Sequence, residues 1–236
     1  MDQNSANIDN KEKTAIESVQ PGSGFSGKAA VVFVIFNLIS ILTIIYYSYN
    51  VSKILVLKDT DDKLMAGAYG VTFALGREFH DRIENATSIS EQEHYENILN
   101  LSEVAEKCGV DYVYTLMKNT SGEVVFTALS VTKEEFEKKN FDKFYTVYKK
   151  PSELTMKGFG STAISFEEYE DEYGFFRSAI VPMKSKNGKD YVVGADISIS
   201  NITGRLNTLL YGFIISGLLV FVTTSAAFIF LMKKIS

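Results

Sequence analysis

Among its 236 residues the chain has one cysteine and two histidines, and its 24 lysines and arginines are outnumbered by 29 aspartates and glutamates. A lone Cys108 forms no internal disulfide, and with Val104, Ala105 and Val110 around it in sequence it reads as a small buried apolar residue. The formal charge of -5 gives no basic face, which sets nucleic acid aside as a partner. No nucleophile elbow, Gly-rich phosphate loop or Cys/His ligand cluster is present, so neither an enzyme nor a cofactor is expected. His80, beside Asp81, and His94 lie in polar helical contexts that read as exposed surface, not as catalytic or metal-binding positions.

Hydrophobic runs are what the chain has in quantity. Ala29 to Tyr49 contains no Asp, Glu, Lys, Arg or His, and a bilayer core needs roughly 20 such residues in a helix. Lipid offers nothing to backbone amides, so a run like this enters it only as a helix. Tyr46, Tyr47 and Tyr49 suit the headgroup layer. A second uncharged run, Leu209 to Met232, ends in Lys233-Lys234. Within it Gly212 and Ser216 either let another helix approach closely or are simply the small residues common in spans. The first run is too long for the core of a cleaved signal peptide. The flanking charges (Lys28, Lys233 and Lys234 against Lys53, Lys58 and Arg205) set orientation only weakly, and long domains translocate largely regardless of charge. The expected division is a disordered cytoplasmic tail at 1–28, a first span at 29–49, an extracytoplasmic domain at 50–207, a second span at 208–232 and a cytoplasmic stub at 233–236. An outer domain without disulfides fits a bacterial envelope.

The middle segment has room for one domain with its own core. Val51, Ile54, Leu55, Leu64, Met65, Ala68, Val71, Leu75 and Phe79 continue a helical period out of the first span. This predicts one helix from Ala29 to about Glu84, with Asp59 to Asp62 as the place for a bend. Ser90 and Glu93 form a capping box for a second helix that stops near Cys108-Gly109. From Val110 the period becomes two. Strands are expected over 111–117, 123–128, 163–168, 174–183 and 191–200, with turns at Asn119–Gly122 and Ser185–Gly188. Thr132-Lys133-Glu134-Glu135 opens a short helix, and 141–157 reads as a long aromatic- and lysine-rich loop with a short helix after Pro151. Helices first and an antiparallel sheet after them give an α+β domain, with the helices stacked on one sheet face.

This order resembles the Cache family, the PAS-like extracytoplasmic sensor module of bacterial chemoreceptors, sensor kinases and diguanylate cyclases. The stretches that carry the resemblance are Phe79–Arg82, Tyr112–Leu116, Val125–Thr127, Tyr173–Ser178 and Gly188–Ile197. It covers about Asn50 to Ile202 and implies a single PAS-like Cache module, a long N-terminal helix packed on an antiparallel five-stranded sheet, between two transmembrane helices. Family members run on into a cytoplasmic relay and output domain. The expectation here is either the input half of a longer receptor or a free-standing sensor that needs a cytoplasmic partner.

On the last strand Val193, Ala195, Ile197 and Ile199 share one face, which reads as core, while Val192, Gly194, Asp196 and Ser198 share the other. Gly194 leaves space for a close approach beside Asp196. The resemblance implies that Asp196 holds a ligand ammonium; the alternative is a structural aspartate paired with Arg177 or capping a turn. Arg177, inside an apolar strand, carries a fork suited to a carboxylate, or else lies at the sheet edge or pairs with Asp196. Tyr112 and Tyr114 share a face and supply aromatic wall and hydroxyl donors, or else pack the core. Phe144, Tyr145 and Tyr148 in the long loop are lid candidates. The acidic run Glu167 to Glu172 reads as a solvated turn, with cation binding as its alternative. The chain has no tryptophan, so the family's Trp-containing amino-acid motif is missing.

Together these features point to a multi-pass sensor of the bacterial inner membrane, not an enzyme, whose outer domain binds a small molecule: an amino acid, a carboxylate or an amine. A homodimer through the first helix is expected. The alternative is a membrane-anchored protein-partner-binding module with no small ligand. A cavity bordered by Arg177 and Asp196 favours the solute; a packed sheet face with an exposed apolar patch favours the protein partner.

Overall fold

The structure, a computed structural model, describes residues 23–235. Most of the expected polar tail, over 1–22, lies outside the described residues. The rest begins α1 (Ser23–Leu75). Two units are present, one of residues up to Asn50 together with Leu209 onward, the other Val51–Thr208.

The first unit pairs the apolar part of α1 with that of the last helix, α5 (Ile199–Ile235). Both helices are long and apolar enough to cross a membrane, and only 6% of each apolar window is buried in the protein. A soluble core helix would be buried; these side chains face outward, as lipid requires. The polar residues in α1 are satisfied locally. Ser40 and Thr43 donate to the carbonyls of Phe36 and Ile39, and the Asn37 amide donates across to Thr224 Oγ1 (2.6 Å) and Ser225 Oγ (3.1 Å). Phe33 stacks on Phe228 at 3.9 Å. The small-residue contact is made by Gly217, where a Cβ would lie 2.7 Å from Ile45 Cδ1, while nothing lies within 4 Å of a Cβ at Gly212.

In the second unit α1 continues without a break in the helix. Asp59 and Asp61, in the stretch read as the place for a bend, are docking groups: Asp59 accepts from Arg205 (2.9 Å) and pairs with Lys63 (3.1 Å), and Asp61 binds Arg177. The helix ends at Leu75, short of Glu84, because Gly76 turns left-handed (φ 78°). A 3-10 turn follows at Phe79–Arg82, then α2 (Glu91–Cys108). The Ser90 side chain accepts from the Glu93 N–H, but Glu93 turns its carboxylate to Arg82 instead of closing the box.

The sheet comprises β1 (Tyr112–Lys118), β2 (Val124–Leu129), β3 (Ser165–Glu170), β4 (Phe175–Lys184) and β5 (Asp190–Ser198), in the order β2-β1-β5-β4-β3, with every pairing antiparallel. A single α+β module with a long N-terminal helix and an antiparallel five-stranded sheet is the architecture expected from the sequence. β5 passes straight into α5 at Ile199, so the second long helix starts well before its apolar part.

Pairing fixes the two faces. Val113, Ala195 and Ala179 are opposite one another, as are Val193 and Val181, and this face meets α1: a Cβ at Gly67 would touch Val113 at 3.2 Å. The opposite face, with Leu116, Ile180 and Val192, is not solvated. The long segment after β2, containing α3 (Lys133–Lys138) and α4 (Glu153–Gly158), covers it, and Phe126, Leu129, Tyr148 and Val192 share one buried cluster there. Two layers were expected; there are three. The segment is pinned as well, since Tyr145 N–H donates to Phe126 O and Tyr148 N–H to Val124 O, which covers the β2 edge.

Arg177 lies on the helix side, opposite Ile197, and its fork donates to both Asp61 oxygens at 2.6 and 2.9 Å. Both side chains are mostly buried. In an Asp61→Asn, Arg177→Gln double-mutant cycle on the full chain, thermal unfolding is expected to give a coupling energy of about 1–2 kcal/mol. Additive losses would show that the pair does not hold α1 to the sheet.

Candidate ligand pocket

Between β1, β5 and the covering segment lies a cavity of about 360 Å³. Its floor comes from alternation along the strands. Tyr112 pairs with Asp196, and Tyr114 with Gly194, so both tyrosines share a face with Asp196; Ser178 on β4 is opposite Asp196 from the other side. The walls include Phe126, Phe176, Tyr148 and Tyr173, and the remaining polar lining includes Glu135, Lys139, Asp142 and Asp171.

Asp196 is the unusual group. Its residue is 8% exposed, and among the described residues its side-chain hydrogen-bond partners are hydroxyls: Ser178 opposite, and Tyr114, whose OH donates at 3.4 Å. Burial, reinforced by the nearby Asp171 carboxylate, pushes the Asp196 carboxyl up to about 7 against the opposing pull of Ser178 and Tyr114. Burial also raises the phenols of Tyr112, Tyr114 and Tyr148, which therefore remain donors at neutral pH.

Gly194 permits this geometry. A Cβ there would lie 2.1 Å from Tyr114 Cζ and 2.5 Å from its oxygen. The close approach expected beside Asp196 is thus made by the Tyr114 ring, which lies over the β5 backbone. Two tyrosine–carboxylate bonds join the covering segment to the β3–β4 turn: Tyr148 OH donates to Asp171, and Tyr173 OH to Asp142 (2.7 Å). Asp171 is held in turn by the N–H groups of Tyr173 (2.8 Å) and Gly174 (3.2 Å).

Of the residues singled out in the sequence, Tyr112, Tyr114, Tyr148 and Asp196 line this cavity. Arg177 does not, because its position in β4 turns it to the opposite face. Tyr145 does not either: it has φ 69° and donates its OH to Glu84 O. The cavity is therefore bordered by Asp196 without Arg177. Sequence reasoning missed Asp171, which lies in the acidic run read as a solvated turn, and Tyr173, which stood only in a stretch that carries the resemblance. The available signal was the Asp-x-x-Gly spacing of Asp171–Gly174, a side-chain-capped turn.

Both histidines are buried, contrary to the sequence reading. His80 stacks on Tyr191 at 3.8 Å, and burial pushes it down to about 3. Beside it Asp81 accepts from Ser185 and from the Asn187 N–H (3.0 Å), while Lys189 donates to the carbonyls of Asp81 (2.7 Å) and Ile83 (3.1 Å). His94 donates from Nε2 to the Asp142 carbonyl (3.1 Å) and so supports the pocket wall. Among the described residues no group of three His, Cys, Asp or Glu side chains is arranged to hold a metal ion.

No family model matches the chain, and no curated protein matches it. Among solved structures it is similar to the ligand-binding domain of the Campylobacter jejuni chemoreceptor Tlp3 in complex with L-norvaline (12% identity, TM-score 0.38, covering 82% of this chain and 66% of that one). The same domain in complex with L-valine (15%, 0.35, covering 82% and 68%) and the Tlp3 sensory domain with isoleucine bound (14%, 0.33, covering 82% and 68%) are also similar. The chain spans about two thirds of the length of these domains. Such values carry no weight for function, which rests on this chain's own residues.

Two outcomes are expected. Gly194→Ala forces the Tyr114 ring off β5 and should cost about 1–3 kcal/mol in unfolding measurements; wild-type stability would mean the ring is not seated there. For Asp196, the folded carboxyl binds its proton more tightly than the unfolded one (3.8 rising to about 7), so its contribution is full below about pH 4 and is lost as pH rises through about 7. Asp196→Asn should therefore gain stability relative to wild type between pH 5 and pH 8, read as a growing difference in Tm.

Proposed function

We propose that the chain is a membrane-anchored sensor whose outer α+β module binds a small solute in the Asp196 cavity and passes the change to its two long helices. The observation that carries this reading is a buried carboxylate, with hydroxyls as its side-chain hydrogen-bond partners among the described residues, at the floor of a cavity of ligand size. A folded chain keeps such a group at a cost, and a ligand that pairs with it recovers part of that cost. The criterion set by the sequence is met only on the side of Asp196, since Arg177 does not border the cavity; the open space beside Asp196 is what supports a solute over a protein partner. The reading is of a binding module, not an enzyme, set in a bacterial inner membrane with the module outside.

The route inward starts next to the pocket. Asp196 is three residues before Ile199, where α5 begins. Asp111, adjacent to Tyr112, donates its N–H to Asp196 O (2.8 Å) and accepts on its carboxylate from Ser198 N–H (2.7 Å) and the Asn201 amide (2.9 Å). A ligand that draws on Asp196 and Tyr112 thus acts on both sides of the β5–α5 junction. It shifts the helix only through its different affinities for two states of that junction. The reading includes a homodimer along α1, where Tyr69 and the 86%-exposed Phe73 lie on the outer surface.

The full chain in detergent, titrated with a broad library of small metabolites, should show a rise in Tm with at least one compound, lost in Asp196→Asn. No shift with any compound would overturn the solute reading.

A further inference from the structure

We infer that the cavity selects small organic cations, primary amines with an apolar body and no carboxylate, over amino acids and carboxylic acids; the inference rests on the solute-sensor reading above. Three observations converge. Asp196 at the floor has the hydroxyls of Ser178 and Tyr114 for neighbours and no lysine or arginine. The lining as a whole carries four carboxylates against Lys139, which is solvent-exposed at the end of α3. The one arginine fork inside the sheet, Arg177, is turned to the other face and both its arms are taken by Asp61.

An ammonium entering this space meets an unpaired carboxylate and aromatic rings, each of which favours a cation. An amino acid carries its carboxylate on the same carbon as its ammonium. Once the ammonium reaches Asp196, that carboxylate comes to rest among like charges, away from any guanidinium fork. Desolvating it without a partner is costly. Specificity here is therefore as much rejection of the anion as attraction of the cation.

The test uses the full chain in detergent and isothermal titration with two matched sets: isoamylamine, leucine and 4-methylpentanoate; and 2-phenylethylamine, phenylalanine and 3-phenylpropanoate. At least one amine should bind more tightly than its amino acid by about tenfold or more, and Asp196→Asn should weaken it by about tenfold or more, with an unaltered circular dichroism spectrum. Asp171→Asn, which keeps an acceptor for the Tyr173 and Gly174 N–H groups but removes a charge, should weaken the amine by a smaller factor. Tighter binding of an amino acid or acid, silence of both amines, or amine binding indifferent to Asp196→Asn would each overturn the inference. If amino acids or acids bind where amines do not, the sensor reading stands and only the selectivity falls; if no compound of any class shifts Tm, both fall.

Discussion

A carboxylate held out of water without a cation is the constraint around which the unit Val51–Thr208 is arranged. Asp196 sits on the central strand, between β1 and β4, and its neighbours are chosen to make burial tolerable without removing its appetite for charge. Ser178 and Tyr114 offer hydroxyls; Gly194, two residues back, lets the Tyr114 ring lie flat on the strand and bring its oxygen within reach. A lysine or arginine in the same place would pair the group permanently and fill the site. Leaving it with weak donors keeps a proton near neutral pH as the stand-in for a bound cation.

Charge is treated oppositely on the two faces of the sheet. On the side of α1, Arg177 is matched by Asp61, and near the start of α5 Arg205 is matched by Asp59. These pairs dock α1 against the sheet and against α5 within that unit. On the pocket side carboxylates accumulate beside a single exposed lysine. Compensated charge fastens the helices; uncompensated charge, facing a cavity, is what a ligand can answer. Because β5 belongs to both faces and runs directly into α5, the same strand carries the buried carboxylate and the start of the helix.

Much of this was legible in the residues. The two uncharged runs, the change of period from 3.6 to 2 near Val110, the Ser90 and Thr132 caps and the turns at Gly122 and Gly188 located the strands and the short helices to within a few residues, because each depends on local sequence; the two long helices were found, but α1 ends and α5 begins about nine residues earlier than expected. Tyr112, Tyr114, Tyr148 and Asp196 were likewise identifiable as residue types suited to a site. The errors were of another kind. Asp59 and Asp61 looked like no more than the place for a bend because their partners, Arg205 and Arg177, are more than 100 residues away. His80 and His94 looked exposed because the aromatic ring and the carbonyl that cover them come from β5 and the covering segment.

Local pattern thus decided the spans, the α+β order and the candidate chemistry, since hydropathy, capping and alternation act over a few residues. Only tertiary pairing decided which of those candidates meet. Strand register placed Asp196 and Tyr114 on one face and Arg177 on the other, and a shift of one residue would have exchanged them. The same holds for the segment after β2: its composition announced a loop, and its contacts made it the roof of the cavity.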